Sequence, residues 1–164
     1  RVFFHNTFFY NKLTEPEYNY GPVGRWTARG ANKADLFTMD KVIVPVNAGN
    51  SHWYLGVINL RDKRTEVYDS MGGGSSQTHN NLLRYIKDEH REKKKAEMDM
   101  TGWNQHTPPQ LPRQQNHYDC GVFMSIYTLH VILDRPMDFS QQDMLAFRYW
   151  IGSEILKHSH SLTD

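Results

Sequence analysis

Residues 52 to 69 read His52-Trp53-Tyr54-Leu55-Gly56-Val57-Ile58-Asn59-Leu60, then Arg61-Asp62-Lys63-Arg64, then Thr65-Glu66-Val67-Tyr68-Asp69. The first nine are rich in branched and aromatic side chains, the next four are polar, and the last five return as a second strand. The pattern predicts a hairpin. Pairing about a turn near 61–64 places His52 and Asp69 at the same end of the sheet. Just upstream, Val42-Ile43-Val44-Pro45-Val46 is a near-continuous apolar run, which predicts a strand buried on both faces.

Outward from these strands the pattern changes. Pro16, Gly21, Pro22, Gly24 and Gly30 mark residues 14 to 35 as loop, and that loop carries Arg25-Trp26. The aromatic opening, Val2-Phe3-Phe4 to Phe8-Phe9-Tyr10, fits a helix end or a short strand equally well. From Thr78 to about Met98 the spacing of Leu82, Leu83 and Ile86 predicts a helix, with Arg91 to Lys95 as its exposed, charged end. Pro108, Pro109 and Pro112 predict loop over 101–119. Gly121 to Leu133 reads as a buried helix. A last helix is expected from Ser140, where Ser140-Gln141-Gln142-Asp143 resembles a capping box, with Met144, Phe147, Ile151 and Ile155 on its inner face. Strands and helices mixed in one short chain predict an α+β fold.

The chain has 164 residues, enough for one domain with one core. Its net charge of +1 leaves no electrostatic footprint for nucleic acid and no polybasic membrane anchor. No apolar run approaches the roughly 20 residues of a membrane span. One cysteine makes no intrachain disulfide and no cysteine-based zinc site, which favours a reducing, intracellular compartment. A start at Arg1, not Met, reads as a domain cut from a longer protein.

That cysteine, Cys120, lies between a proline-rich loop and an apolar helix. A thiol at a helix N-terminus feels the positive end of the macrodipole, which favours the reactive thiolate. Gly121 removes bulk beside the sulfur. An inert core cysteine fits the same position, and Asp119 before it has the ordinary reading of a helix N-cap. A nucleophile needs a base, and the base an orienting acceptor. His52 and Asp69 supply both if the hairpin forms. As a metal site, His52, Asp69 and Cys120 lack a fourth ligand. The other polar-context histidines, His79, His90, His106, His158 and His160, read as surface residues, and His130 as a core or partly exposed one. Acyl transfer also needs an oxyanion donor, for which Gln114 and Gln115 are equal candidates on chemistry alone.

Taken together, His52-Trp53, Tyr68-Asp69-Ser70-Met71-Gly72-Gly73 and Gln114-x-Asn116-x-x-Asp119-Cys120-Gly121 resemble the SUMO (sentrin) protease family of ubiquitin-like-protein-processing cysteine peptidases. An Asn6-Thr7-Phe8-Phe9 stretch and Arg25-Trp26 add to the resemblance, which runs from about His5 to Lys157. It implies a papain-like fold, with a central mixed β-sheet flanked by helices and the nucleophile at a helix N-terminus. It implies Cys120 as nucleophile, His52 as general base, Asp69 as its orienter, and Gln114, not Gln115, as oxyanion donor. Trp53 matches the tryptophan that covers the tunnel for the substrate's Gly-Gly tail. Phe8, Arg25 and Trp26 match positions that touch the body of the ubiquitin-like partner.

The activity so implied is hydrolysis of the isopeptide or peptide bond after a C-terminal Gly-Gly, a desumoylating thiol protease with no cofactor and no metal. Its partners would be SUMO or another ubiquitin-like protein and its conjugates, met by a monomer, in the nucleus, at its envelope or in the cytoplasm. Residues 1–164 would be a single catalytic domain lacking the family's N-terminal helical segment. The Tyr118-Asp119-Cys120-Gly121 string also occurs in the related deneddylases, whereas Met71-Gly72-Gly73 and Arg25-Trp26 favour SUMO. A non-catalytic module that binds ubiquitin-like proteins, and an acyltransferase on a similar scaffold, are the other classes the residues allow.

Overall fold

The computed structural model describes residues 1–28, 33–73 and 76–159. Five strands form one mixed sheet in sequence order: β1 (Val2–Phe4), β2 (Lys41–Ala48), β3 (His52–Asn59), β4 (Arg64–Tyr68) and β5 (Asn104–His106). β1 runs parallel to β2 and β5 parallel to β4, while the β2–β3 and β3–β4 pairs are antiparallel. The helices are α1 (Phe9–Thr14), α2 (Ser76–Lys94), α3 (Cys120–Ile132) and α4 (Met144–Ser159).

Strand period sets which core each side chain enters. Val42, Val44, Val46, Tyr54 and Ile58 pack with Leu82, Tyr85 and Ile86 of α2. Ile43, Leu55 and Val57 point the other way and pack with Val122, Phe123, Ile126 and Tyr127 of α3. With both faces covered, the central strands read as unbroken apolar runs rather than as polar-apolar alternation. The predicted hairpin forms, with Leu55 opposite Tyr68 and Asn59 opposite Arg64. Gly56 lies where a Cβ would meet Leu82 Cδ1 at 3.0 Å, so the glycine lets α2 settle close to β3.

Several expectations are corrected. The aromatic opening is both a strand and a helix, separated by His5 to Phe8. The loop expected over 101–119 contains β5. Its side chains are exposed or half-buried, so only the backbone pairing with β4 marks it as a strand. His79, expected at the surface, is 4% exposed and bonded to the hydroxyls of Thr65 at 2.8 Å and Thr107 at 3.0 Å. It sits on the face of α2 that lies over the sheet, where two hydroxyls make a buried imidazole affordable. The capping box at Ser140 is present, although it opens a 3-10 turn (Gln141–Asp143) that leads into α4. Met144 is buried and Phe147 and Ile151 half-buried against the α3 core, but Ile155 is 64% exposed. Its inner face is therefore shorter than the apolar spacing suggests. His160 lies outside the described residues.

His5 carries a consequence for stability. It stacks on Phe9 with centroids 3.5 Å apart, and its Nε2 is hydrogen-bonded to the Tyr85 hydroxyl at 3.2 Å. Burial lowers its pKa from 6.5 to about 3. Its folded pKa is depressed, so the unfolded chain binds the extra proton between those values, and this stability is lost as pH falls below 6.5. His5 alone should contribute a loss of roughly 1.4 kcal/mol per pH unit across that window. Urea unfolding at pH 7, 6 and 5 should show stability falling toward acid, and a His5→Gln variant should show a shallower fall. An equal slope in both proteins would remove His5 as the cause.

Candidate active site

The hairpin that organises the sheet also assembles the site. His52 is the first residue of β3, and Asp69 follows the last residue of β4, so both stand at one end of the sheet. His52 Nε2 lies 2.7 Å from Asp69 Oδ1. The carboxylate is held in turn by its own loop: Met71 N donates to Oδ1 at 2.8 Å and Gly73 N to Oδ2 at 3.0 Å. Three donors satisfy a carboxylate that is otherwise buried. A carboxylate accepts only, so Nε2 carries the proton toward Asp69 and Nδ1 is the nitrogen free to accept.

Cys120 is the first residue of α3 and is 7% exposed. The helix starts there because Asn116 Oδ1 accepts from the amides of Tyr118 and Asp119 and holds the preceding residues in a turn, while the residues from Val122 onward supply the apolar face for the sheet. Gly121 joins this helix end to β3. A Cβ placed on it would stand 4.0 Å from Trp53 Cδ1, so the indole next to His52 lies on the first turn of α3. The sequence-derived triad residues thus sit on elements that pack against each other.

The two glutamines separate in the structure. Gln114 is half-buried beside the Asp69 loop: its backbone N–H donates to Ser70 O at 3.1 Å, and its Oε1 accepts from Ser70 Oγ at 2.6 Å. Its Nε2 donates to Asn116 O at 2.6 Å, which uses one of two amide hydrogens. Gln115 is exposed, and its backbone N–H bonds Gln141 Oε1 at 2.8 Å. Phe8 is 73% exposed, Arg25 is exposed, and Trp26 is half-buried with its ring 5.8 Å from that of Phe9. Phe8 and Trp26 line one surface hollow with Asn6, Asn11, Lys12 and Glu15, whereas Arg25 does not line it.

Residues 1–161 match the model of the Ulp1 protease family, C-terminal catalytic domain. The chain belongs to the Ulp1 protease family. It is 37% identical to ubiquitin-like-specific protease 1A of Arabidopsis thaliana, over 94% of this chain and 31% of that protein. Against human sentrin-specific protease 2 the identity is 37%, over 92% of this chain and 25% of the relative. The chain therefore spans about a quarter to a third of these relatives. Among solved structures, the C-terminal Ulp1 protease domain in complex with Smt3, the yeast ortholog of SUMO, superposes with a TM-score of 0.83 at 30% identity, covering 96% of this chain and 69% of that one. The papain-like α+β expectation agrees with this Ulp1-type fold.

Beyond the expected residues, the candidate site contains a polar frame that sequence reasoning missed. Asp119 occupies the N-cap position of α3, yet its side chain makes no capping bond. It accepts instead from Asn116, Gln141 and Arg148. Gln141 and Arg148 come from distant sequence, and no local motif signals them. Arg113 is another residue that no motif signals. It lies across Gly72, where an added Cβ would stand 1.5 Å from its Nη1. Gly72 has φ of 83°, a conformation that L side chains adopt only with strain. We expect Gly72→Ala to displace Arg113 and loosen the amides that grip Asp69. Stability should fall by about 1–3 kcal/mol, checked as a lower midpoint in urea unfolding. A midpoint equal to that of the parent would show that this loop is not tightly held.

Proposed function

We propose that this chain is a cysteine protease that hydrolyses the bond after the C-terminal Gly-Gly of a SUMO-type modifier. The observation that carries the proposal is the His52–Asp69 hydrogen bond at the sheet end where Trp53 packs on the first turn of α3, whose first residue is Cys120. The names of the relatives, ubiquitin-like-specific and sentrin-specific proteases, support the same reading.

The chemistry follows from the roles of these groups. His52 Nδ1 takes the thiol proton, and the Cys120 thiolate attacks the terminal glycine carbonyl carbon. The carbonyl electrons move to oxygen, and the free hydrogen of the Gln114 amide and the Cys120 backbone N–H receive the charge. When the tetrahedral species collapses, the C–N bond breaks and the leaving amine takes the proton from His52. Water, deprotonated by the same imidazole, then attacks the thioester and releases the modifier's carboxyl group and the thiol. Asp69 stays ionised throughout and holds the ring in one tautomer.

Trp53 would cover the Gly-Gly tail, since a flat indole leaves room for two glycines and excludes larger side chains. Phe8, Arg25 and Trp26 would meet the folded body of the modifier. In this reading residues 1–164 act as one catalytic domain, and the enzyme works on nuclear conjugates.

The test is cleavage of SUMO and NEDD8 fusions side by side. Cleavage of the SUMO fusion after Gly-Gly is expected, with the NEDD8 fusion slow or uncut; the reverse preference assigns the chain to deneddylation. Cys120→Ala should abolish cleavage and keep affinity for SUMO. Asp69→Asn should lower kcat by roughly 10²- to 10⁴-fold through a misoriented ring. Normal turnover by either variant would contradict the assignment.

A further inference from the structure

The residue before the nucleophile poses an electrostatic problem. Asp119 is 4% exposed, and its carboxylate is one residue from the thiol whose ionisation the reaction requires. A carboxylate on the neighbouring residue is a like charge to a thiolate, and like charges oppose each other's ionisation. The side chain does not repay that cost as a helix cap. Its four bonds go elsewhere. Oδ2 accepts from Asn116 Nδ2 and from Gln141 Nε2, each at 2.7 Å, and Oδ1 accepts from Arg148 Nε at 3.0 Å and from Arg148 Nη2.

Arg148 does more than pair with one carboxylate. Its Nη2 also donates to the Tyr118 carbonyl at 3.0 Å, so α4 grips two consecutive residues of the loop that enters α3. Asn116 continues the connection. Its Oδ1 accepts from the amides of Tyr118 at 3.2 Å and Asp119 at 3.1 Å, and its carbonyl receives Gln114 Nε2. A continuous chain of bonds thus runs from Arg148 through Asp119 and Asn116 to the proposed oxyanion donor. Burial alone would raise the Asp119 carboxyl, but the bonds from Asn116, Arg148 and Gln141 outweigh it and hold the group below its ordinary value, as an anion.

We infer that Arg148 is a positioning residue for the reaction: from α4 it neutralises the carboxylate beside Cys120 and holds the 114–119 loop in its working geometry. The inference rests on the protease reading above. Among the described residues, the charged and titratable groups around this end of α3 include His52 from β3, Asp69 from the loop after β4 and Arg148 from α4, with Arg113, His117 and Tyr118 preceding it in the chain. Among the described residues, Arg148 is the cation bonded to Asp119.

Because the chain has a single cysteine, iodoacetamide alkylation followed against pH reports Cys120 alone. Arg148→Gln should move the midpoint of that profile upward by roughly one pH unit, since it leaves the Asp119 charge uncompensated. The double variant Asp119→Asn with Arg148→Gln should return it toward the parent value. Arg148→Lys keeps the charge but not the two-pronged geometry, so its midpoint should stay near the parent's while kcat on the SUMO fusion falls roughly tenfold at unchanged KM. A parent-like midpoint in Arg148→Gln, or one equally raised in the double variant, would overturn the charge role. Should Arg148→Gln fail to fold by circular dichroism, Arg148→Lys decides, and parent-like kcat there overturns the positioning role. Failure of the protease reading itself is distinct: the parent chain would not cleave the fusion at all.

Discussion

The register of the β3–β4 hairpin is the constraint on which the rest depends. A slip of one residue would send every side chain of β3 to the opposite face. It would exchange the residues that meet α2 for those that meet α3, and it would carry His52 away from Asp69. Two apolar cores resist that slip at once, because Val57 and Leu55 belong to one and Ile58 and Tyr54 to the other. A hydrogen bond worth about 1 kcal/mol on its own is therefore set by the burial of side chains worth several times more.

The same packing explains why the proposed reactive groups stand at an edge of the cores rather than inside them. β3 and α3 are held together by Leu55, Val57, Phe123, Ile126 and Tyr127, yet Cys120 and His52 are their first residues. Each functional side chain is fixed by an element it begins or follows. What packing cannot set is the orientation of polar groups, and here local bonds take over. Asp69 is gripped by the amides of Met71 and Gly73, and Gln114 by Ser70 and Asn116. Loops with many internal bonds behave as rigid supports, which a preorganised site requires.

Legibility in the sequence followed the same division. Where burial decided structure, periodicity revealed it: β2, β3, β4 and α3 lie where the apolar patterns place them, and α2 does too except that it ends at Lys94, short of the expected Met98, where its apolar spacing has run out. The convergence of His52 and Asp69 followed from hairpin arithmetic alone. Where backbone pairing or long-range polar contact decided structure, the sequence was silent. β5 has polar, largely exposed side chains, and its partner strand is distant in sequence. Asp119 had the composition of a cap and the position of a cap, but its bonds go to Asn116, Gln141 and Arg148. His79 looked solvated because neither Thr65 nor Thr107 is near it in sequence. The choice of Gln114 over Gln115 came from family resemblance, and the structure adds that only Gln114 turns toward the Asp69 loop.

The central claim is that Cys120, His52 and Asp69 form one working nucleophile that accepts a Gly-Gly carboxyl terminus. Its most direct test is reaction of the chain with SUMO carrying an electrophile in place of the terminal carboxyl, read by mass spectrometry of the intact adduct and of its peptides. The account predicts one adduct per chain, located on Cys120, and little or none after His52→Ala. Absence of an adduct on the parent chain, or equal labelling without His52, would contradict it.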